Sequence, residues 1–330
     1  MLVRVGEEGF NILRSQLTHS ALLVPPFYSD LNKLYQQEYY EDRSFTDVSF
    51  LICEQDVALV GVVASVSELA DGTCELSNFG NPLLILTNHL IPISSLGKIE
   101  KKLISEVENF IDIFTVNYLK FTDLLNQGIS SYFTHHLMMQ GAMATPRFTS
   151  ILNLSLSEQE LHHSLRKRYK SFINWGIKNL TLKVLDYSNT TWLDIEACRN
   201  LHIEAAGRIT RNLQTWKLQY EMIKNQEAFI ITGEVNGEIV TFGFFLYSEH
   251  YCYYGVSASK RELFDKPIFH VIMWQAILFA KKLGCKYFES GEIIYPKEDN
   301  VNKKEVDIGN FKKGFGSEVK VVLDVSWRKG

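Results

Sequence analysis

The sequence predicts an α/β protein built as two related units in tandem. Three observations carry that reading. Strand-like and helix-like stretches alternate along the 330 residues. The second half sets a β-hairpin, an aromatic strand, a long apolar helix and a further strand in succession. The first half echoes it: Phe50-Leu-Ile-Cys, a polar turn and Leu59-Val-Gly-Val parallel Phe229-Ile-Ile-Thr, a polar turn and Thr241-Phe-Gly-Phe. Each half then reads helix, hairpin, strand, helix, strand. The echo puts a boundary between about 145 and 160 and divides the chain into domains 1–150 and 151–330.

In the first half, the apolar run Ala21-Leu-Leu-Val is stopped by Pro25-Pro26, and a helix follows from Ser29 to Tyr40. Val48 to Cys53 and Val57 to Val66 are β-rich runs joined by the polar turn Glu54-Gln-Asp. Strands follow near Cys74 to Leu76 and Leu83 to Leu86. Leu103, Val107, Phe110, Phe114, Tyr118 and Phe121 keep helical spacing, so one helix is expected over Ile99 to Leu125. A strand from Thr149 to Leu154 ends this half.

The second half opens with a capping box, Ser157 with Glu160 three residues on. Its helix is expected to run to Trp175 and stop at Gly176. A strand at Leu180 to Leu185 and a helix starting at Thr190 or Thr191 come next. Helix Leu213 to Lys224 precedes Asn236-Gly237, which joins two alternating strands in the manner of a tight hairpin. The strand Tyr251-Cys-Tyr-Tyr-Gly alternates its side chains, with Tyr253 on one face and Tyr254 on the other. Pro267 and Gly284 frame a helix whose body is apolar nearly all round, as a helix buried against a sheet requires.

The totals exclude several functions. A formal net charge of −4 gives no global field for nucleic acid. No segment offers the roughly 20 apolar residues of a membrane span. The N-terminal residues carry two acids and lack the apolar core of a secretory signal. The 5 cysteines are scattered without CxxC spacing, which points to a reducing, cytoplasmic setting and to no zinc site. His135-His136 and His162-His163 are adjacent pairs without supporting ligands, so no metal is expected. Walker, GxSxG and GxGxxG patterns are absent.

The order of elements from Glu227 to Trp327, closed by Phe311-Lys-Lys-Gly-Phe-Gly, resembles the Fem-type branch of the GNAT-like acyltransferases. That resemblance implies two tandem GNAT-like domains with mixed central sheets flanked by helices. It further implies transfer of an acyl or aminoacyl group to a primary amine of an amino sugar or cell-envelope precursor. The donor would be acyl-CoA or aminoacyl-tRNA. The partners would be a small or nucleotide-linked amino-sugar acceptor, and tRNA if it is the donor.

The same resemblance assigns residues. Phe311 and Lys312 match the family's Phe-Lys pair, which meets the acyl end of the donor, with the lysine supporting the tetrahedral intermediate. Aminolysis builds an oxyanion, and a fixed cation in a dry site lowers that barrier by about 3–4 kcal/mol. Glu289, in Glu289-Ser-Gly-Glu, stands where the family has Asp-x-Gly, and would take the amine's proton. Ser257, Ser259 and Lys260, before the apolar helix, would contact the donor, although the glycine-rich phosphate loop of ordinary GNAT enzymes is missing. Arg168, on the helix resembling the family's second-domain entry helix, would bind acceptor. Apart from the resemblance, alternation along the aromatic strand sets one of Tyr253 and Tyr254 on the core face and the other on a face that would line the acceptor groove. A second reading follows from the missing loop: a catalytically inactive GNAT-fold module that binds a nucleotide-sugar or protein partner.

Overall fold

The computed structural model describes residues 2–5, 26–54, 57–83, 85–88, 93–125, 128–296 and 302–329. The apolar run expected at 21–24 lies outside them. In chain order the elements are β1 (Leu2–Val5), α1 (Asp30–Tyr39), β2 (Phe45–Asp47), β3 (Phe50–Glu54), β4 (Val57–Val62), β5 (Ser65–Glu68), β6 (Cys74–Ser77) and β7 (Ile85–Thr87). Next come α2 (Ile93–Ile113), β8 (Tyr118–Asp123), α3 (Tyr132–Met139), β9 (Met143–Asn153), α4 (Glu158–Ser164), α5 (Lys167–Asn179) and β10 (Thr181–Leu185). The chain ends with α6 (Trp192–Ala206), α7 (Leu213–Lys224), β11 (Ala228–Val235), β12 (Glu238–Tyr247), β13 (Tyr251–Ser259), α8 (Ile268–Lys282), β14 (Tyr287–Glu292), α9 (Lys303–Lys313) and β15 (Glu318–Arg328).

The described residues fall into two compact units. One lies within Met1–Val24, Tyr40–Arg147 and Val321–Gly330, the other within Pro25–Tyr39 and Phe148–Lys320. Final strands are exchanged between the halves of the sequence. In the first unit β8 pairs antiparallel with Leu323 to Arg328 of β15. In the second, β14 pairs antiparallel with Thr149 to Asn153 of β9.

The first unit holds an antiparallel sheet ordered β1-β3-β4-β7, and a second run β15-β8-β6-β5-β2 in which β6 and β8 are parallel. The run expected from Val57 to Val66 is two strands. It breaks at Val63-Ala64 because the chain there passes from one sheet to the other. The helix expected over Ile99 to Leu125 ends at Ile113. Thr115 adopts a left-handed φ of 51°, and the chain re-enters as β8, where Leu119 and Phe121 are buried by strand alternation. Tyr118 and Phe121 had kept helical spacing by coincidence.

The second unit has the sheet β10-β11-β12-β13-β14-β9, with only β13 and β14 parallel. Period-2 alternation splits its core in two. Phe229, Ile231 and Phe245 pack with Ile173 of α5 and Val271, Ile272 and Ala276 of α8. Ile230, Phe242 and Phe244 pack on the other face with Ile195 of α6 and Trp216 and Ile223 of α7. Phe27, Leu31 and Tyr35 join that second cluster, which explains why 25–39 belongs here. At the hairpin, Asn236 and Gly237 both take positive φ, 52° and 83°, as a type I′ turn demands.

The helix expected from Ser157 to Trp175 is two helices. The capping box forms, but Leu165 turns extended and is buried, and α5 restarts at Lys167. Gly176 does not stop α5. A methyl there would lie 2.5 Å from Cγ1 of Val271 on α8. Gly→Ala in a helix interior normally gains about 1 kcal/mol. Here Gly176→Ala is expected to lose about 1–3 kcal/mol in denaturant melts, through overpacking. Adding Val271→Ala should recover part of that loss.

Candidate active site

Parallel pairing of β13 with β14 lasts only from Tyr251↔Tyr287 to Tyr253↔Glu289. Beyond it β13 runs on to Ser259 beside β12 alone. The register of β14 slips between Glu289 and Gly291, leaving Ser290 as a bulge, and Gly291 has φ +90°. Two strands that part expose peptide groups to which an extended ligand can add. In sequence α8 connects the two strands that part, and within its first turn the His270 N–H already donates to the Pro267 carbonyl at 3.3 Å. In the first unit the matching strand–helix–strand pair stays closed. Leu83 donates to the Lys120 carbonyl at 2.8 Å and its own carbonyl accepts from Thr122 at 2.9 Å.

Lys312 reaches this bulge from the last turn of α9. Its Nζ donates to the Glu292 carbonyl at 3.0 Å. A Cβ built on Gly291 would lie 3.1 Å from that Nζ and 3.8 Å from the Tyr253 hydroxyl, so both groups face the bared backbone of Gly291. Burial pushes the Lys312 ammonium below the usual lysine range, while Glu292 and Glu289 pull it back up. Glu289 is held across three strands. Thr149 of β9 donates to its Oε1 at 2.5 Å, and Tyr251 of β13 donates to its Oε2.

Phe311 points the other way, onto the start of α8. Its ring centroid lies 5.0 Å from His270 and 6.0 Å from Phe269. His270 is boxed by Tyr169, Phe172 and Phe311 at 4.6–5.0 Å, and burial lowers its pKa from 6.5 to about 4. The folded state therefore resists protonation that the unfolded chain accepts. Stability from this residue is intact above pH 6.5 and is lost as the pH falls toward 4, by about 3 kcal/mol in all. Chemical denaturation at pH 7 and 4.5 should show the wild type losing about 2 kcal/mol more than His270→Phe.

The other sequence-predicted residues are dispersed. Tyr253 meets Phe27 edge-on at 4.7 Å and belongs to the α6/α7 face, whereas Tyr254 packs on Phe269 on the α8 face. Tyr254, pushed up to about 12 by burial, bonds Ser257 Oγ at 2.5 Å. Ser259 bonds Thr241, and Lys260 is tied to Glu238 at 2.5 Å. Six positions along the strand, roughly 20 Å, separate Ser259 from Tyr253. Arg168 is exposed on the first turn of α5, 6.0 Å from the Tyr169 ring. The structure thus brings Lys312, Glu289 and Tyr253 close to Gly291, turns Phe311 of α9 away onto the start of α8, and leaves Ser257, Ser259, Lys260 and Arg168 apart. Sequence reading missed Thr149, Gly291 and Phe27. Only Gly291 carried a signal, a glycine inside a strand pattern that marks a bulge.

Among the described residues no group of three or more His, Cys, Asp or Glu is arranged to hold a metal ion, and no helix is long and apolar enough to cross a membrane.

No family model matches the sequence, and no curated protein matches it. Solved structures do match its fold. FemX aligns over 98% of this chain and 97% of its own, with a TM-score of 0.70 at 12% identity. A tandem GNAT protein from the clavulanic acid biosynthesis pathway aligns over 100% and 98%, with a TM-score of 0.56 at 11% identity. The fold is tandem GNAT-like. The C-terminal domain of a putative lysylphosphatidylglycerol synthetase from Agrobacterium fabrum aligns over 98% and 92%, with a TM-score of 0.56 at 11% identity. In GNAT-like terms, β13, α8 and β14 form the strand–helix–strand unit around the opening, and α9 delivers Lys312 to it.

Proposed function

We propose that the chain is an acyltransferase that moves an acyl or aminoacyl group from an activated carrier to a primary amine. The observation that supports it best is the Lys312 Nζ reaching Gly291 and the Glu292 carbonyl, next to the point where β13 parts from β14. In the reaction the amine nitrogen attacks the donor carbonyl carbon and a C–N bond forms. The carbonyl oxygen becomes an oxyanion beside Lys312, which stabilises it. The bond from carbon to the carrier's sulfur or oxygen then breaks, and the carrier leaves as thiol or hydroxyl. The amine's proton passes to water, to substrate or to Glu289. Holding the two reactants in one opening supplies much of the rate by positioning alone.

The acceptor of this reading is an amino sugar or cell-envelope precursor, and the donor is acyl-CoA or aminoacyl-tRNA. Among the fold neighbours, the putative lysylphosphatidylglycerol synthetase domain speaks for aminoacyl transfer and the tandem GNAT protein, solved without acetyl-CoA, for an acyl-CoA donor. The stretch before α8 speaks against an ordinary acyl-CoA site, because a 3-10 helical turn, Arg261–Leu263, takes the place of a glycine loop there. The same turn favours the second reading, a non-catalytic module that binds only acceptor.

Thermal melts with acetyl-CoA, aminoacyl-tRNA and UDP-amino sugars separate these readings. The transferase reading expects one of the donors to raise the melting temperature and the rise to shrink in Lys312→Ala. Stabilisation by acceptor alone would overturn it.

A further inference from the structure

We propose that Tyr169 is the positioning residue for the Phe311–Lys312 pair, acting from α5 as a cap on the C-terminal turn of α9. The last carbonyls of a helix have no partners within it and must find them elsewhere. In α9 the Gly314 N–H donates to the Phe311 carbonyl at 3.0 Å, and two side chains from the start of α5 add to the closure of this turn. Tyr169 Oη donates to the Phe311 carbonyl at 3.1 Å, and an Arg166 guanidinium nitrogen donates to the Asn310 carbonyl at 3.1 Å. The Gly314 carbonyl, just past the helix, accepts from the Arg166 N–H at 2.9 Å.

The packing is as close as the bonding. The Tyr169 ring is buried and contacts His270, Phe311 and Phe315 at 4.6, 6.1 and 5.1 Å. A Cβ on Gly314 would fall 2.2 Å from that ring, and one on Gly316 would fall 2.1 Å from Ser164 Oγ. Gly314 has φ −69°, a helical value open to any residue, so it is glycine for want of space. The two glycines of the motif thus record the seat of α9 against α4 and α5. That seat sets the direction in which Lys312 leaves its helix toward Gly291.

This inference rests on the transferase reading for its purpose, yet its test needs no turnover. The groups facing Lys312 are Glu289 and Glu292 of β14, Tyr253 of β13 and its neighbour Lys313. Arg166, Arg168 and His270 lie across the end of α9. The protein is labelled with the acetyl ester of N-hydroxysulfosuccinimide over a pH series, and each lysine is quantified by peptide mass spectrometry. The pH midpoint of Lys312 is then compared between wild type, Tyr169→Phe and Arg166→Gln, with exposed Lys178 as internal reference. Tyr169→Phe keeps the ring and removes only the cap. The expected result is an upward shift of the Lys312 midpoint toward the ordinary lysine value in both variants, because a frayed turn lets water reach the ammonium. Lys178 stays unchanged. A Lys312 midpoint identical to wild type in both variants overturns the proposal, whatever happens to the melting temperature. A positive labelling result with no acyl transfer on any donor would instead count against the transferase reading alone.

Discussion

Replacing Lys312 with alanine is expected to lower kcat for acyl transfer by about 10²–10³-fold, equivalent to roughly 3–4 kcal/mol of lost oxyanion stabilisation. The donor KM should rise as well, in keeping with the smaller donor-induced stabilisation of this variant, because the ammonium meets the donor carbonyl before its charge develops and holds it more strongly afterwards. The fold should survive. Lys312 is half-buried and desolvated, so its removal relieves a burial cost while forfeiting one hydrogen bond to the Glu292 carbonyl. Lys312→Arg should recover little. With only 3.1 Å between Nζ and a Cβ position on Gly291, a bulkier guanidinium does not fit. Steady-state kinetics with circular dichroism on the same preparations checks both halves. A variant that turns over at wild-type rate removes Lys312 from the chemistry.

Gly314→Ala should give the largest loss of stability. The added methyl would lie 2.2 Å from one Tyr169 ring carbon and 2.3 Å from another. The ring is hemmed in by His270, Phe172, Phe311 and Phe315 and has no space to turn into. Overpacking of this kind costs about 3 kcal/mol or more, which for a unit of this size lowers the melting temperature by roughly 6–12 °C. Because Tyr169 is the obstacle, Tyr169→Leu together with Gly314→Ala should cost less than the sum of the two single changes. Additive losses in calorimetry would place the clash elsewhere.

These two positions bound what was legible from the residues. Phe311-Lys-Lys-Gly-Phe-Gly was visible as a motif, but α9 was not. Lys303 to Lys313 is rich in charge and lacks a strong apolar stripe, so its helix has little periodic signal and is seated by α4 and α5. The glycines looked like a bend, and Gly316 at φ +83° does turn the chain. For Gly314 the reason is a neighbour 145 residues earlier, which no local pattern encodes. Glu289 was singled out from a strand end, but the partners that hold it, Thr149 and Tyr251, come from two other strands.

The sequence by itself determined whatever depends on neighbours a few residues apart. That covers the capping box of Ser157 with Glu160, the helix start at Thr191, the Asn236-Gly237 turn, and the helices Leu213–Lys224 and Ile268–Lys282. Backbone sterics, capping and hydrophobic period act over one or two turns, so these features are written locally. Tertiary structure alone decided the exchange of final strands, the membership of residues 25–39 in the second unit, and the parting of β13 from β14. Each is settled by burial and hydrogen-bond completion between segments far apart in sequence, from the 36 residues between paired positions of β13 and β14 to more than 100 for the others. There, several pairings satisfy the same local pattern and only the assembled core selects among them.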